Sequence, residues 1–311
     1  MKILIIDEMH ESIVPLLEEG GHEVHYRPEI EKKEILEIIG NYKGLIIRSK
    51  TPMNKPLLEK ATRLKFIGRA GAGLDNIDIE YLEEKGIQLY HAPEGNRDAV
   101  GEHALGMLLA LFNHFSRADQ QVRKGIWRRE ENRGEELAGK TVGIIGYGNM
   151  GQAFAKRLCG FDVEVLAYDK YRNGYSDEYA KESSWEEIFE KADVLSIHVP
   201  LTFETKCFLD MSTLSKFRKP IFFINTSRGE VVDFDTLNEA LQENIFRGAV
   251  LDVLENEKFS QMTQAQQLSF DKLAERDNVL FTPHVAGWTF QSYEKINKVL
   301  VEKINKMGKI Y

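Results

Sequence analysis

The chain has 311 residues, of which 42% are hydrophobic and 29% charged, values that exclude a disordered chain, a collagen and a disulfide-rich scaffold. The length predicts two domains. The 41 Lys and Arg residues against 49 Asp and Glu residues give a formal net charge of −8. A chain this acidic has no overall positive field, so we expect neither nucleic acid nor an anionic membrane as a partner. An anionic substrate needs a local basic pocket.

The chain contains two cysteines, Cys159 and Cys207, and neither has a Cys or His at metal-ligand spacing. Two lone thiols indicate a reducing compartment, so we expect a cytoplasmic protein with no metal site. The apolar run at residues 3–6 is too short for the core of a signal peptide. No segment has the roughly 18 uninterrupted apolar residues that a membrane helix needs.

The first hundred residues alternate between short β-branched runs and amphipathic segments. Strands are predicted at 2–6, 44–47, 64–67 and 87–90, with helices at 13–19 and 56–61. This alternation predicts a parallel sheet with helices on both faces. The segment 99–115 is then strongly apolar, which predicts a long helix buried between two packed units.

A second series of alternations begins near residue 141. Its predicted strands are 141–145, 163–168, 194–199, 221–225, 248–251 and 279–281, which is the number in a complete dinucleotide-binding sheet. The polar, Gln-rich segment 258–276 is predicted to be an irregular surface insertion with some helix. A final helix at 292–307 is expected to pack back on the first unit. The fold class is therefore α/β, with two doubly wound parallel-sheet domains.

A G-x-G-x-x-G motif occupies residues 146–151, directly after the strand at 141–145 and before a helical stretch at 152–158. The three glycines permit a tight turn, a close approach to a pyrophosphate and close packing of helix on strand. Asp169 follows at the end of the next strand, where a carboxylate binds the ribose hydroxyls of NAD and repels the 2′-phosphate of NADP. We therefore predict NAD as the cofactor, although Lys170 and Arg172 follow closely and weaken this preference.

Polar clusters follow three further strands of the second series, at 225–229, 251–257 and 282–287. Ligands of doubly wound sheets bind outside the carboxyl ends of the strands, so Arg228, a carboxylate after Asp252, and His284 are expected to converge. A histidine exchanges a proton with a hydroxyl or carbonyl, a carboxylate raises the histidine pKa, and an arginine binds a substrate carboxylate bidentately. These residues predict hydride transfer on a 2-hydroxy acid.

The order of these motifs resembles that of the D-isomer-specific 2-hydroxyacid dehydrogenases over nearly the whole chain. The matching motifs are G-x-G-x-x-G, H-x-P-L at 198–201, N-x-x-R-G-x-x-V-D at 225–233, G-A-x-L-D-V at 248–253 and T-P-H-x-x-G at 282–287. Residues 67–78 resemble the substrate loop of that family, with the greatest likeness to the D-3-phosphoglycerate dehydrogenases. The resemblance implies a flavodoxin-like substrate domain at 1–98 plus 285–311, with a Rossmann NAD-binding domain inserted at 99–284.

The resemblance also implies site residues. Catalysis is assigned to Arg228, to His284 as acid/base, and to Glu257 as the partner of His284. Cofactor binding is assigned to the glycine loop, the ribose carboxylate and residues after later strands: Gly146, Gly148, Asn149, Met150, Gly151, Asp169, Val199, Thr226, Ser227, Asp252, Ala286 and Gly287. Of these, Asp252 is expected to bind the nicotinamide carboxamide, and Val199 and Thr226 to contact the cofactor through backbone atoms. Substrate binding is assigned to Arg48, Arg69, Ala72 and Gly73.

The chain departs from the family pattern at Lys258, where a proline usually follows the catalytic glutamate. Glu255 therefore remains an alternative to Glu257. The chain ends at Tyr311, so a C-terminal regulatory domain and serine feedback are not expected.

The substrate remains open at this point. Because Arg48 and Arg69 match phosphate-binding positions, D-3-phosphoglycerate, the precursor in serine biosynthesis, is the leading substrate. The alternative is reduction of glyoxylate or hydroxypyruvate, or action on another D-2-hydroxy acid. A third possibility is an NAD(H)-sensing corepressor, which keeps the same triad. The apolar segment 99–115 and residues 125–129 predict a homodimer through the NAD domain.

Overall fold

The computed structural model describes residues 1–307, and in it the chain separates into two compact α/β units. The first unit contains residues 1–97 and the segment from Trp288 onward, and the second contains Asp98–Gly287. The predicted division lay at 98/99 and 284/285. In the part of the chain that the structure describes, no helix is long and apolar enough to cross a membrane.

The first unit is built on a five-stranded parallel sheet with the strand order β2-β1-β3-β4-β5, the flavodoxin-like order. One face of this sheet is covered by α2, α3 and α4, and the other by α1 and α12. In chain order the elements are β1 (Lys2–Ile5), α1 (Ile13–Glu19), β2 (Glu23–Tyr26), α2 (Lys32–Ile38), β3 (Gly44–Ile47), α3 (Lys55–Leu58), β4 (Phe66–Arg69), α4 (Ile79–Lys85), β5 (Gln88–His91) and, after the second unit, α12 (Phe290–Met307).

The second unit is built on a seven-stranded parallel sheet with the order β12-β11-β10-β9-β6-β7-β8. Read from β8, this is the 3-2-1-4-5-6 order of a Rossmann sheet with one further strand. In chain order the elements are α5 (Pro93–Phe112), which begins in the first unit, α6 (Phe115–Arg123), β6 (Thr141–Ile145), α7 (Asn149–Leu158), β7 (Glu164–Tyr168), β8 (Lys181–Glu182), α8 (Trp185–Lys191), β9 (Val194–Ile197), α9 (Met211–Leu214), β10 (Ile221–Asn225), α10 (Phe234–Gln242), β11 (Phe246–Leu251), α11 (Gln264–Ala274) and β12 (Val279–Phe281).

The predicted α/β class with two parallel sheets is confirmed, while several local predictions need correction. The predicted irregular segment 258–276 is mostly the helix α11, which begins at a capping box formed by Thr263 and Gln266 and buries Leu273. The predicted helix at 99–115 is broken: α5 ends at Phe112, and His114 takes a left-handed conformation before α6 begins. The second sheet has the six predicted strands and, in addition, the two-residue edge strand β8.

Candidate active site

The glycine motif forms the turn between β6 and α7. Gly146 has φ +91°, and a Cβ on Gly151 would lie 2.1 Å from the Gly146 carbonyl oxygen, so both positions require glycine. A Cβ on Gly148 would meet no atom within 4 Å, so this glycine leaves open space at the N-terminus of α7. Asn149 and Met150 form the first turn of that helix, where N–H groups have no intrahelical acceptor. The turn therefore fits a pyrophosphate.

Asp169 lies just past the end of β7, and its carboxylate accepts hydrogen bonds from the backbone N–H groups of Tyr147 (2.9 Å) and Tyr171 (3.0 Å). The two nearby cations are both engaged. Lys170 forms an ion pair of 2.6 Å with Glu204, and Arg172 donates to the carbonyl of Tyr147. The charge of Lys170 is therefore balanced by Glu204, whereas Arg172, which is bonded to a neutral carbonyl, keeps its positive charge.

On the loops after two neighbouring strands of this sheet, two buried polar atoms have no hydrogen-bond partner among residues 1–307. They are Thr226 Oγ1, after β10, and Nδ1 of His198, after β9. Burial lowers the pKa of His198 to about 4, so its ring is neutral, and its Nε2 pairs with Ser196 Oγ at 2.8 Å. Val199 packs beside the Gly146 turn. An orphaned hydroxyl at Thr226, on the loop that follows β10 of the same sheet, fits a dinucleotide, whose polar groups supply the missing partner.

The loop that carries Arg228 is held by Asn225, the last residue of β10. The Asn225 side chain is fully buried, accepts from the N–H and Oγ of Ser227 (3.0 and 2.9 Å), and donates to the Arg228 carbonyl at 2.9 Å. The next residue, Gly229, lies so close to the 254–255 backbone that a Cβ would be 1.9 Å from the Leu254 carbonyl carbon. The arginine loop and the loop that follows β11 are therefore packed directly together.

His284 and Glu257 form the central pair of the site. His284 Nδ1 lies 2.8 Å from Glu257 Oε1 and 3.0 Å from Oε2. This hydrogen bond raises the pKa of His284, while burial and the positive charge of Arg228 oppose the rise and Asp252 adds to it. With Nδ1 bound to the carboxylate, Nε2 is the ring nitrogen available for proton transfer.

Glu255, the alternative acid, has a different task. Its Oε2 accepts from the N–H of Phe234 at the start of α10 (2.9 Å), and its Oε1 accepts from Gln266 Nε2 of α11 (2.7 Å). The structure thus places Glu257, and not Glu255, beside His284. The lysine at position 258 does not prevent the pairing.

Asp252 anchors the loop on which His284 lies. Its buried carboxylate accepts from the N–H groups of Val285 (2.9 Å) and Ala286 (2.8 Å) and from Thr282 Oγ1 (2.5 Å). His103 Nε2 of α5 lies 3.0 Å from the same threonine hydroxyl. These bonds hold His284 at φ +54°, a left-handed conformation that is uncommon outside glycine. The expected contact of Asp252 with the nicotinamide carboxamide stays a prediction, since most of its acceptor capacity is used within the loop.

The predicted substrate residues lie in the first unit. Arg48 follows β3, and Arg69 is the last residue of β4, not a member of the following loop as the sequence suggested. Arg69 Nη1 donates to the carbonyl of Ala70 at 3.0 Å, and Ala72 accepts from Nδ1 of His91 at 3.1 Å. Gly73 lies in the same loop and is partly exposed.

A scan of family models matches residues 105–286 to the NAD binding domain of the D-isomer specific 2-hydroxyacid dehydrogenases. This match covers more than half of the chain. The chain belongs to this family. Its second unit is the family's NAD-binding domain, and NAD is its cofactor.

Relatives of this dehydrogenase family differ in the substrate that their names give. The chain is 35% identical to D-3-phosphoglycerate dehydrogenase of Methanocaldococcus jannaschii over 99% of its length, but spans only 57% of that relative. It is 36% identical to hydroxypyruvate reductase of Thermotoga maritima, over 89% of the chain and 88% of the relative. The crystal structure of D-lactate dehydrogenase from Aquifex aeolicus, complexed with NAD and lactic acid, superposes with a TM-score of 0.82 at 29% identity, covering 99% and 96% of the two chains.

Three positioning residues were assigned no role from the sequence, although two of them lie in the predicted polar cluster at 225–229. They are Asn225, Gly229 and His103, which hold the arginine loop and the histidine loop. In the sequence, the positioning role of Asn225 is indicated by its place as an amide at the end of an otherwise apolar strand. His103 gives no such signal, because it lies in an apolar helix far from its partners in the chain.

Proposed function

We propose that the protein is an NAD-dependent D-2-hydroxyacid dehydrogenase that oxidises D-3-phosphoglycerate to 3-phosphohydroxypyruvate, the reaction that opens serine biosynthesis. The observation that carries the proposal is the His284–Glu257 pair, which lies with Arg228 on loops at the carboxyl edge of the NAD-binding sheet. The phosphate preference rests on Arg48 and Arg69, which end two adjacent strands of the first unit.

Each side chain has a definite part in this chemistry. The glycine turn and Asp169 would hold NAD, which would supply a hydride acceptor for C2 of the hydroxy acid and, as NADH, a hydride donor for the reverse reaction. Nε2 of His284 accepts the hydroxyl proton during oxidation and donates it to the carbonyl oxygen during reduction. Glu257 holds the ring through Nδ1 and stabilises the imidazolium. Arg228 binds the substrate carboxylate and polarises the adjacent carbonyl.

A panel of 2-keto acids, followed by NADH absorbance at 340 nm, tests this proposal. The panel contains 3-phosphohydroxypyruvate, hydroxypyruvate, glyoxylate and pyruvate, each measured with NADH and NADPH. We expect the highest kcat/KM with 3-phosphohydroxypyruvate and NADH. Tight NADH binding without turnover of any member would instead support an NAD(H) sensor.

Hydroxypyruvate reduction is the second candidate. The hydroxypyruvate reductase of T. maritima is matched over 88% of its length, whereas the phosphoglycerate dehydrogenase of M. jannaschii is nearly twice as long as the matched part. In the panel, a higher kcat/KM for hydroxypyruvate than for its phosphorylated form would favour this candidate. The Arg48→Leu variant distinguishes the two candidate functions. Only phosphate recognition is expected to depend strongly on that cation, so the variant should lose activity mainly toward 3-phosphohydroxypyruvate.

We also infer a homodimer formed through the NAD-binding domain. In the isolated chain, α6 has no buried residue, and Phe115, Val122 and Trp127 on and after it are largely exposed. Several large apolar side chains exposed within one short stretch of chain are typical of a protein interface. Two exposed and unpaired cysteines, Cys159 and Cys207, support a reducing cytoplasm as the site of action.

A further inference from the structure

The guanidinium of Arg48 lies against two aromatic rings of the first unit. Its central carbon is 4.2 Å from the ring centroid of Trp288 and 5.2 Å from that of Tyr293. Trp288 precedes α12 and Tyr293 lies in the first turns of that helix, so both rings come from a segment far from Arg48 in the chain. These distances are within the range of cation–π interactions.

The aromatic pair is itself braced. The rings of Trp288 and Tyr293 are 4.8 Å apart, and the ring of His10 meets Tyr293 edge-on at 5.6 Å and 82°. The carbonyl of His10 accepts a hydrogen bond of 3.0 Å from Asn297, a fully buried residue of α12. The surface on which Arg48 lies is thus tied to the core of the unit.

This arrangement leaves the positive charge of Arg48 available. Within residues 1–307 the guanidinium forms no ion pair with a carboxylate; Nη1 donates to the carbonyl of Glu8, at 3.3 Å, and the side chain also hydrogen-bonds to the neutral phenol of Tyr293. The Asp7 carboxylate accepts from the backbone N–H of Arg48 and so holds its main chain. A guanidinium covered on its face by an aromatic ring keeps its N–H edge directed sideways, in the planar arrangement that binds phosphate oxygens bidentately.

We propose that Trp288 is a positioning residue that orients Arg48 for the phosphate of the substrate and thereby favours phosphorylated over unphosphorylated 2-keto acids. The proposal rests on the proposed function, because it assigns the phosphate to Arg48. It goes further in naming an aromatic residue, outside the catalytic set, as a determinant of substrate choice.

The test compares Trp288→Leu with the matched control Trp288→Phe, which keeps an aromatic ring. The measured quantity is the ratio of kcat/KM for 3-phosphohydroxypyruvate to that for hydroxypyruvate. Loss of a cation–π contact predicts that Trp288→Leu lowers this ratio about threefold to thirtyfold, mainly through the KM of the phosphorylated substrate, and that Trp288→Phe lowers it less. A purely structural role would lower both kcat/KM values together.

A second measurement needs no substrate. The Nε–Hε NMR signal of Arg48, assigned with Arg48→Lys, is expected to be shifted upfield by the ring of Trp288 and to move downfield in Trp288→Leu. If the NMR signal of Arg48 does not move in Trp288→Leu, the role of Trp288 is refuted and the proposed substrate is not. The same holds if the wild type prefers the phosphorylated substrate and Trp288→Leu leaves the kcat/KM ratio unchanged. A wild-type enzyme without phosphate preference overturns the proposed substrate, and with it any role of Trp288 in phosphate binding, even if the NMR signal moves.

Discussion

At the scale of single residues, one carboxylate controls the proton on His284. Since the hydrogen bond that His284 Nδ1–H donates to Glu257 raises the pKa of His284, Glu257→Gln should lower that pKa. Reduction needs the imidazolium, so its rate in the variant should fall at a lower pH than in wild type. Oxidation needs the neutral ring, so its rate should rise at a lower pH. The pH profiles of kcat/KM in both directions measure the shift.

Glu255→Gln is the matched control for this experiment. Glu255 accepts hydrogen bonds from Phe234 and Gln266 and makes none to His284, so the variant should lose some stability and keep the wild-type pH profile. A profile moved by Glu255→Gln and not by Glu257→Gln would contradict the assignment. His284→Ala should lower turnover about 10²–10⁴-fold while NADH binding persists.

Cofactor choice also depends on a single side chain. Asp169→Ser should reduce the preference for NADH over NADPH roughly fivefold or more, because removal of one nearby negative charge is worth about 1 kcal/mol. Fluorescence titration with the two reduced cofactors measures the two Kd values. Adding Glu204→Gln removes the ion pair of Lys170 and should further reduce the difference between the Kd values for NADH and NADPH. A wild-type protein that binds NADPH more tightly would refute the role given to Asp169.

At the scale of elements, two glycines of the turn between β6 and α7 have different tasks: Gly151 is needed for packing, and Gly148 for cofactor binding. Gly151→Ala would place a methyl group against the Gly146 carbonyl, so it should lower the Tm of the protein. Gly148→Ala meets no protein atom, so it should leave the Tm nearly unchanged and weaken NADH binding by occupying the space left for the pyrophosphate. Thermal unfolding and NADH titration of both variants provide the two readouts. Equal loss of Tm in the two variants would show that this space is not open.

Elements with a strong apolar pattern could be predicted from the sequence, and those without one could not. β6, β10 and α1 lie at their predicted positions because each has an uninterrupted buried run or face. β2 was missed because its residues Glu23–Tyr26 are half polar and lie at a sheet edge. β4 was placed two residues early because Gly68 resembles a loop residue; a Cβ there would in fact crowd Ile304 and Ile46 within the packed unit.

The residues of the site also differ in how far they could be predicted from the sequence. Motif residues such as Arg228 and His284 could be predicted because glycines and prolines mark their loops. The resemblance favoured Glu257 and left Glu255 as an alternative, because the choice depends on which carboxylate reaches the N-terminus of α10. Contacts such as His103 with Thr282 join distant parts of the chain and leave no local pattern.

At the scale of the whole molecule, the exposed apolar residues of α6 and the segment after it predict the assembly state. Sedimentation at micromolar concentration should show a dimer for the wild type and a monomer for the double variant Val122→Lys, Trp127→Glu, since charges at an apolar interface oppose association. Phe259→Glu changes an aromatic residue outside this surface that is 52% exposed, close to the 54% of Val122, and the variant should stay dimeric. A monomeric wild-type protein would contradict the inference.

The division of the first unit into two stretches of sequence has a consequence for biosynthesis. Ile3, Ile5 and Phe66 share one buried cluster with Leu300 and Ile304 of α12, which the ribosome makes only after the entire second unit. The strands of the first unit therefore wait with one face covered only by α1, while the NAD-binding unit already has all of its own residues. The unit whose synthesis begins first is thus the last to have all of its residues. A chaperone would be needed most while the sheet of this unit waits for α12.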